Sequence, residues 1–172
     1  KICIFMKTRT NMKKPLFFLL FFPLLLSCQS SKKDPSKQVK YLYKKTESEW
    51  KAELSKMTFY VLRQGGTERA FSGQYDKFYE KGVYQCAACA TTLYQSQYKY
   101  DSGSGWPSFD RGEDENIEYD VDYKLGYART ELKCNRCGGH LGHMFNDGPR
   151  NTTGKRHCIN SAALSFISET NE

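Results

Sequence analysis

The sequence predicts a mainly β domain built from antiparallel sheets, and three observations lead to this prediction. Short runs rich in Tyr, Val, Ile and Phe recur from residue 82 onward. Clusters of Gly, Asn, Asp and Ser separate these runs and are typical of turns. No second long helical period accompanies them, so alternating βαβ units are not expected. The predicted strands are 82–86, 91–94, 116–121, 126–134, 141–145 and 156–167.

The first element in the chain is a predicted leader over residues 1–28. Two lysines follow Met12, and residues 16–26 are apolar apart from one proline. This run is shorter than the roughly 20 residues of a membrane span and is typical of a secretory signal. It ends in Leu-Leu-Ser-Cys, which resembles a lipobox and predicts a lipid anchor at Cys28. We therefore expect an exported, membrane-anchored lipoprotein facing the periplasm or cell exterior, with an ordinary signal peptide or an uncleaved anchor as the alternatives.

A flexible linker is predicted over residues 29–45, because this segment is polar and rich in lysine.

The net charge of +7 is distributed unevenly along the chain. Residues 1–45 contain 11 Lys/Arg and one Asp, which gives +10, whereas residues 46–172 contain 15 Lys/Arg and 18 Asp/Glu, which gives −3. The positive charge thus lies outside the predicted domain, 46–168. No nucleic-acid partner is expected, since such a domain would carry the charge on its folded surface.

One short helix is predicted at the start of the domain, over 47–57. Thr46 and Glu49 have the spacing of a capping box, in which each side chain pairs with a free amide at the helix start. Trp50, Leu54 and Met57 follow at helical spacing, and we expect all three to pack against the core.

Two Cys-x-x-Cys pairs predict a structural zinc site. Each pair can grip one ion from a tight turn, and two pairs complete a tetrahedral site with no open position for catalysis. Disulfides are an alternative in an oxidising compartment, and a redox-active pair is another, although that motif usually accompanies a βαβ pattern. The four predicted ligands are Cys86, Cys89, Cys134 and Cys137.

Cys158 is the candidate nucleophile that remains once the other cysteines are assigned. Of seven cysteines, four belong to the predicted metal site, Cys28 to the lipid anchor and Cys3 to the leader. Arg156 and His157 precede Cys158, and a neighbouring Arg or His lowers the pKa of a thiol. The alternatives are that Cys158 is a small buried hydrophobic residue, and that the remaining histidines are metal ligands or ordinary buried polar groups.

The chain from about residue 47 to 167 resembles the B-type methionine sulfoxide reductases, which act on the R epimer of methionine sulfoxide. The resemblance covers most of the domain in order. Its most specific segments are YDSGSGWPSF, CNRCGGHLGHMFNDGP and GKRHCINSAAL, preceded by TERAFSG and GVYQC. The matching ranges are 67–73, 82–86, 100–109, 134–149 and 154–164.

The resemblance implies a fold of two antiparallel sheets, a structural zinc held by the four paired cysteines, and a role for each site residue. Cys158 corresponds to the nucleophile that attacks the sulfoxide sulfur and becomes a sulfenic acid. Trp106 corresponds to the indole that holds the substrate methyl group, as an apolar ring face would. A polar set positions a water and polarises the sulfoxide oxygen, and it consists of His140, His143, Asp147, Arg156 and Asn160.

One departure from the family concerns the recycling of the enzyme. Many members have a second, resolving cysteine before the Trp-Pro-Ser-Phe sequence, where this chain has Ser104. We therefore expect the sulfenic acid to be reduced by an external thiol or a thioredoxin-like partner. The expected substrate is oxidised methionine, mainly in proteins, and the expected state is a monomer. A non-catalytic zinc-stabilised binding module and a thiol–disulfide oxidoreductase are the competing hypotheses.

Overall fold

The computed structural model describes residues 41–169, and these residues form the mainly β domain that the sequence predicts. The predicted leader with Cys3 and Cys28, and residues 29–40 of the predicted linker, lie outside the described residues. Neither of the two α-helices within 41–169 has the length and apolar character needed to cross a bilayer.

Two short helices replace the single predicted one. Helix α1 spans Glu47–Glu53 and α2 spans Lys56–Gln64. The prediction of one helix over 47–57 is wrong because Leu54 is extended and the Ser55 side chain accepts a hydrogen bond from the Thr58 amide, which starts a new helix. Trp50 is buried as expected, but Met57 is 47% exposed and does not join the core.

Nine strands within residues 41–169 form two antiparallel sheets. A three-stranded sheet has the order β2-β1-β9, and a six-stranded sheet has the order β3-β4-β8-β7-β6-β5. The predicted run 156–167 is two strands, because a 3₁₀ turn at Ser161–Ala163 separates them and sends each to a different sheet. The strands are β1 Gly82–Cys86, β2 Thr92–Gln95, β3 Lys99–Tyr100, β4 Ser108–Phe109, β5 Ile117–Asp122, β6 Arg129–Cys134, β7 His140–Phe145, β8 Arg156–Ile159 and β9 Leu164–Ser168.

The core brings aromatic rings of the two sheets together. Tyr94 of β2 stacks on Phe109 of β4 with ring centroids 4.3 Å apart, and Tyr84 of β1 meets the same ring edge-on at 5.1 Å. All three residues are fully buried, and each such side chain contributes about 1.5–3 kcal/mol by leaving water. Leu132 and Ile159 bury the same face of the six-stranded sheet, so its other face is available for a site.

The register of the six-stranded sheet sets polar side chains in one row on that other face. Tyr100 pairs with Ser108, Ser108 with Cys158, Cys158 with His143, and His143 with Glu131. Directly paired residues in adjacent strands project from the same side of a sheet. The predicted nucleophile therefore lies between a hydroxyl and an imidazole, with a carboxylate one strand further on.

The last residues of the predicted linker, 41–45, already pack against the domain, which therefore begins earlier than the predicted residue 46. The Tyr43 amide donates to the Arg136 carbonyl at 3.0 Å, and the Tyr43 ring contacts Trp50. The Tyr41 hydroxyl donates to Glu118 at 2.9 Å. The segment that contains Arg136 thus offers Tyr43 a backbone partner, and the Tyr41 ring packs close to Gly138 of the same segment.

Candidate active site

Cys158 opens into a cavity of about 150 Å³ on the polar face of the six-stranded sheet. A larger cavity of about 490 Å³ between Tyr79, Gln95 and Ile167 contains none of the predicted site residues. The cavity at Cys158 is therefore the better candidate for chemistry. The predicted and neighbouring residues that line it are Thr67, Trp106, Arg129, His143, Phe145 and Asn160.

The Cys158 thiol is partly buried, and its surroundings act on its pKa in opposite directions. Burial raises the pKa, because it disfavours the charged thiolate, whereas the Arg156 guanidinium and a hydrogen bond from Ser104 lower it. The Ser104 Oγ lies 4.0 Å from Sγ. Since burial is the largest effect, the pKa of the free enzyme's thiol is raised, and Arg156 is the group that limits the rise.

His157 takes no part in activating the thiol, contrary to the sequence analysis. It alternates to the core face of β8, where it is buried and lies 3.3 Å from the Tyr94 hydroxyl. Burial lowers its pKa to about 4, so the ring is neutral at physiological pH. Adjacent residues in a strand point to opposite faces, and this is why chain proximity to Cys158 was misleading here.

Both remaining histidines reach the polar face, and each is paired with a carboxylate. His143 Nε2 lies 2.8 Å from Asp122 Oδ2, and His140 Nδ1 lies 2.6 Å from Glu131 Oε1. Such pairs fix the ring orientation and its tautomer. Burial lowers the pKa of His143 despite the Asp122 bond. The His140 Nε2 atom is buried with no hydrogen-bond partner among the described residues, and His140 does not line the Cys158 cavity.

Sequence reasoning missed Asp122, Glu131 and Arg129. Arg129 lines the cavity and hydrogen-bonds to Asp122. The pKa of Asp122 lies well below its usual range, mainly because the Lys124 amide donates to it, and His143 and Arg129 add to the effect. The signal in the sequence was the alternation of charged residues on two neighbouring predicted strands, which places them on the polar face of the sheet.

Asp147 and Arg156 form a bidentate pair beside the thiol. Arg156 Nε and its terminal nitrogen donate to the two Asp147 oxygens at 2.8 and 2.9 Å. The guanidinium also lies 4.5 Å from the centroid of the Phe145 ring. Asp147 raises the pKa of Arg156, and Arg156 in turn lowers the pKa of Asp147. The planar fork is held on two sides and therefore keeps its positive charge close to Cys158.

Trp106 and Asn160 lie on the cavity wall and are both tied to the same segment. The Trp106 indole donates to the Glu68 carbonyl at 3.2 Å. The Asn160 side chain accepts from the Glu68 amide at 3.0 Å and donates to the Leu141 carbonyl at 2.9 Å. Both ends of the buried Asn160 amide are thus engaged with backbone. Its role is to hold the wall in place as well as to face the cavity.

The four paired cysteines meet in one buried cluster, whose sulfurs all lie within 4.8 Å of one another. The Cys86–Cys137 and Cys89–Cys134 sulfurs are 3.7 and 3.5 Å apart. A tetrahedral zinc with bonds of about 2.3 Å requires sulfur separations close to these. A disulfide would need about 2.05 Å, so the cluster fits a structural zinc held by four thiolates and does not fit a redox-active disulfide. In such a site the four thiolates fill every coordination position of the ion, so the site stabilises the fold and has no open position for a catalytic step.

Comparison with known proteins gives a consistent result. The SelR domain family matches residues 54–168. A protein of Leptospira interrogans named peptide methionine sulfoxide reductase MsrB is 51% identical over 130 residues, covering 75% of this chain and 98% of that protein. Proteins of the same name are 47% identical over 128 residues in Burkholderia thailandensis (74% and 90% covered) and over 123 residues in Chromohalobacter salexigens (71% and 92%).

Among solved structures, the yippee-like domain of Mis18 aligns with 54% of this chain and 100% of that chain, at 17% identity and a TM-score of 0.43. That likeness is too weak to carry an argument.

The opposing effects on the Cys158 thiol predict how its alkylation depends on pH. Because burial raises the pKa, the iodoacetamide rate should rise with pH through and above the ordinary thiol range. Arg156→Met removes the main effect that lowers the pKa, so the rate profile should move to higher pH. The rate at pH 7 should fall about threefold to tenfold, since one pKa unit is a factor of ten in thiolate. Lys155→Met, next to it in the chain, is the control and should leave the profile in place. An unchanged profile in Arg156→Met would show that the guanidinium does not act on the thiol.

Proposed function

The chain belongs to the SelR domain family and reduces methionine-R-sulfoxide to methionine, and we propose that Cys158 is the nucleophile of this reaction. The observation that carries the proposal is the cross-strand row on the polar face of the sheet. Cys158 pairs with Ser108 on one side and with His143 on the other, and it opens into a cavity that Trp106 also lines. Thiol, indole and imidazole therefore line one cavity of about 150 Å³.

The proposed step moves the oxidation from the substrate sulfur to the enzyme sulfur. The Cys158 thiolate attacks the sulfoxide sulfur to form an S–S bond, and two protons delivered to the sulfoxide oxygen let the S–O bond break and release water. Attack of water on Cys158 Sγ then gives back one proton and breaks the S–S bond, whose electron pair stays on the substrate sulfur. Methionine leaves, and Cys158 becomes a sulfenic acid, so the substrate sulfur is reduced and the enzyme sulfur oxidised by two electrons. The zinc cluster takes no part in this step, because its four sulfurs are fully used.

The two carboxylate-paired histidines are the proposed source of the proton. His143 lines the cavity, and Asp122 stabilises its protonated form at the moment when negative charge develops on the sulfoxide oxygen. The His140 ring lies beside that of His143, with centroids 5.3 Å apart, and its Nε2, which has no hydrogen-bond partner among the described residues, is the proposed site of a bound water. Arg156, fixed by Asp147, stabilises the thiolate before attack.

Trp106 is the proposed contact for the substrate methyl group. Its indole N–H is already bonded to the Glu68 carbonyl, so the ring offers its apolar face to the cavity. A sulfoxide has an apolar methyl and a polar oxygen on the same stereocentre. With the methyl against the ring and the oxygen toward His143, only one epimer presents its sulfur to Cys158.

The first test separates the two epimers. With dithiothreitol as reductant, wild type should convert methionine-R-sulfoxide and leave the S epimer unreacted, and Cys158→Ser should reduce neither at a measurable rate. Chromatographic separation of the two remaining sulfoxide diastereomers gives both values in one assay. Ser168→Ala, at an exposed position of β9 outside the cavity, is the control for folding. Turnover by the Cys158→Ser enzyme would refute the assignment of the nucleophile.

An external thiol is the proposed reductant of the sulfenic acid. The other cysteines among the described residues belong to the buried metal cluster, and Ser104 is the side chain 4.0 Å from Cys158. Attack by an external thiol on the sulfenic acid would release water and form a mixed disulfide. A second thiol then frees Cys158. A thioredoxin-like protein supplies two such thiols in one molecule.

This route predicts a long-lived sulfenic acid. After one equivalent of methionine-R-sulfoxide without reductant, dimedone should label Cys158 nearly stoichiometrically, as read by peptide mass spectrometry. Ser104→Cys tests the geometry directly, because a thiol at that position should capture the sulfenic acid and abolish the label. A disulfide from Cys158 to another cysteine of the wild-type chain would contradict the proposal.

We also propose that the chain is exported and held at a membrane by lipid on Cys28. The support is the sequence of the leader, with its two lysines, apolar run and Leu-Leu-Ser-Cys end. Export would place the enzyme where oxidants reach exposed methionines of other proteins. Cells expressing the full chain should incorporate labelled palmitate into it and retain it in the membrane fraction. Cys28→Ser should lose both properties. Incorporation of palmitate that survives this change would show that Cys28 does not carry the lipid.

A further inference from the structure

We propose that Glu68 is a positioning residue for the reduction, which fixes Trp106 and Asn160 relative to each other across the cavity. This inference rests on the proposed role of Trp106 as the methyl contact. Glu68 lies before the first strand, far from β8 in the chain, and none of the sequence signals assigned it a role.

The backbone of Glu68 contacts both walls of the cavity. Its carbonyl accepts the indole N–H of Trp106 at 3.2 Å, and its amide donates to the Asn160 side chain at 3.0 Å. Thr67, the preceding residue, lines the cavity itself. One peptide segment therefore spans the two side chains, and any shift of Glu68 moves the indole relative to the end of β8.

The carboxylate of Glu68 anchors that segment to the turn after β8. Its two oxygens accept the backbone N–H groups of Ser161 and Ala162 at 2.6 and 2.9 Å. These amides begin the 3₁₀ turn that directly follows Asn160. Glu68 is 5% exposed, and its carboxylate supplies the two amides with the hydrogen-bond acceptors that water would otherwise provide. Glu68 thus makes three hydrogen bonds to residues 160–162.

Glu68 packs closely against Gly73 and Ser161, and together they line a cavity of about 300 Å³. A Cβ on Gly73 would lie 2.5 Å from the Glu68 Oε1 and 2.2 Å from the Ser161 Oγ. The Ser161 Oγ also accepts from the Tyr75 amide at 3.2 Å. A water in that cavity can pair with the Ser161 and Ala162 amides in place of the carboxylate, but it does not link them to the Glu68 backbone. Loss of the carboxylate should therefore be expressed as movement of Trp106.

The test is Glu68→Gln, measured on the full enzyme with its zinc. The amide oxygen can accept only one of the two N–H groups, and its NH₂ opposes the other. We expect KM for methionine-R-sulfoxide to rise about fivefold to tenfold, while the rate at which iodoacetamide alkylates Cys158 stays within about twofold. The alkylation rate reports the thiol alone, which Glu68 does not contact. In a Trp50→Phe background, the fluorescence of Trp106 should shift to longer wavelength as its ring becomes more exposed.

Glu113→Gln is the matched control. Glu113 accepts one hydrogen bond from Gln95 and lies outside the cavity, so this variant should keep all three readouts of the wild type. Glu68→Asp keeps the charge but shortens the reach, and it should resemble Glu68→Gln.

Two outcomes would overturn the inference. Unchanged KM and unchanged Trp106 fluorescence in Glu68→Gln would show that the carboxylate does not position the ring. A parallel loss of alkylation rate, turnover and melting temperature would show that Glu68 serves general stability only. Failure of the proposed function would give a different result. It would show as a wild-type enzyme that does not reduce methionine-R-sulfoxide, or as an unaltered KM in Trp106→Leu, and neither result depends on a Glu68 variant.

Discussion

The hydrogen-bond register of β8 with its two neighbours is the constraint on which the site depends. Cys158 pairs with Ser108 of β4 and His143 of β7, and side chains alternate strictly between the two faces of a strand. A slip of one residue would bury the thiol in the core and turn His157 toward the cavity. The stacked rings of Tyr94 and Phe109 oppose such a slip, since the core face accepts only the present set of side chains.

Gly142 makes the close contact between β7 and β8 possible. A Cβ at this position would lie 2.0 Å from the Cys158 carbonyl oxygen, which is far inside van der Waals contact. The absence of a side chain allows the two strands to approach, and this brings His143 beside the thiol. The metal cluster acts at a larger scale. Cys86 ends β1 of the small sheet and Cys134 ends β6 of the large one, so a bound ion ties the two sheets together and closes a long segment of chain.

The strands and the metal ligands could be predicted because their signals are local. Alternating apolar residues bounded by turn residues gave β1 with its observed bounds, and the two Cys-x-x-Cys pairs identified a cluster that requires long-range folding to form. Chemistry at the site was harder to predict, since it depends on which strands become neighbours. Asp122 and Glu131 meet their histidines only through the pairing of β5, β6 and β7. The break at Ser55 was missed because a capping residue inside an apolar helical pattern looks like one more helical position.

The hydroxyl of Ser104 lies 4.0 Å from the Cys158 sulfur, and this short separation has an evolutionary consequence if Cys158 is the nucleophile that we propose. Most serine codons become cysteine codons by a single base change, so one mutational event would put a second thiol within reach of the first. The sulfenic acid would then be reduced by a second thiol of the same chain instead of an external thiol, and the fold would not have to change. Selection can then adjust the source of the reducing thiol to the electron supply that a given cell maintains.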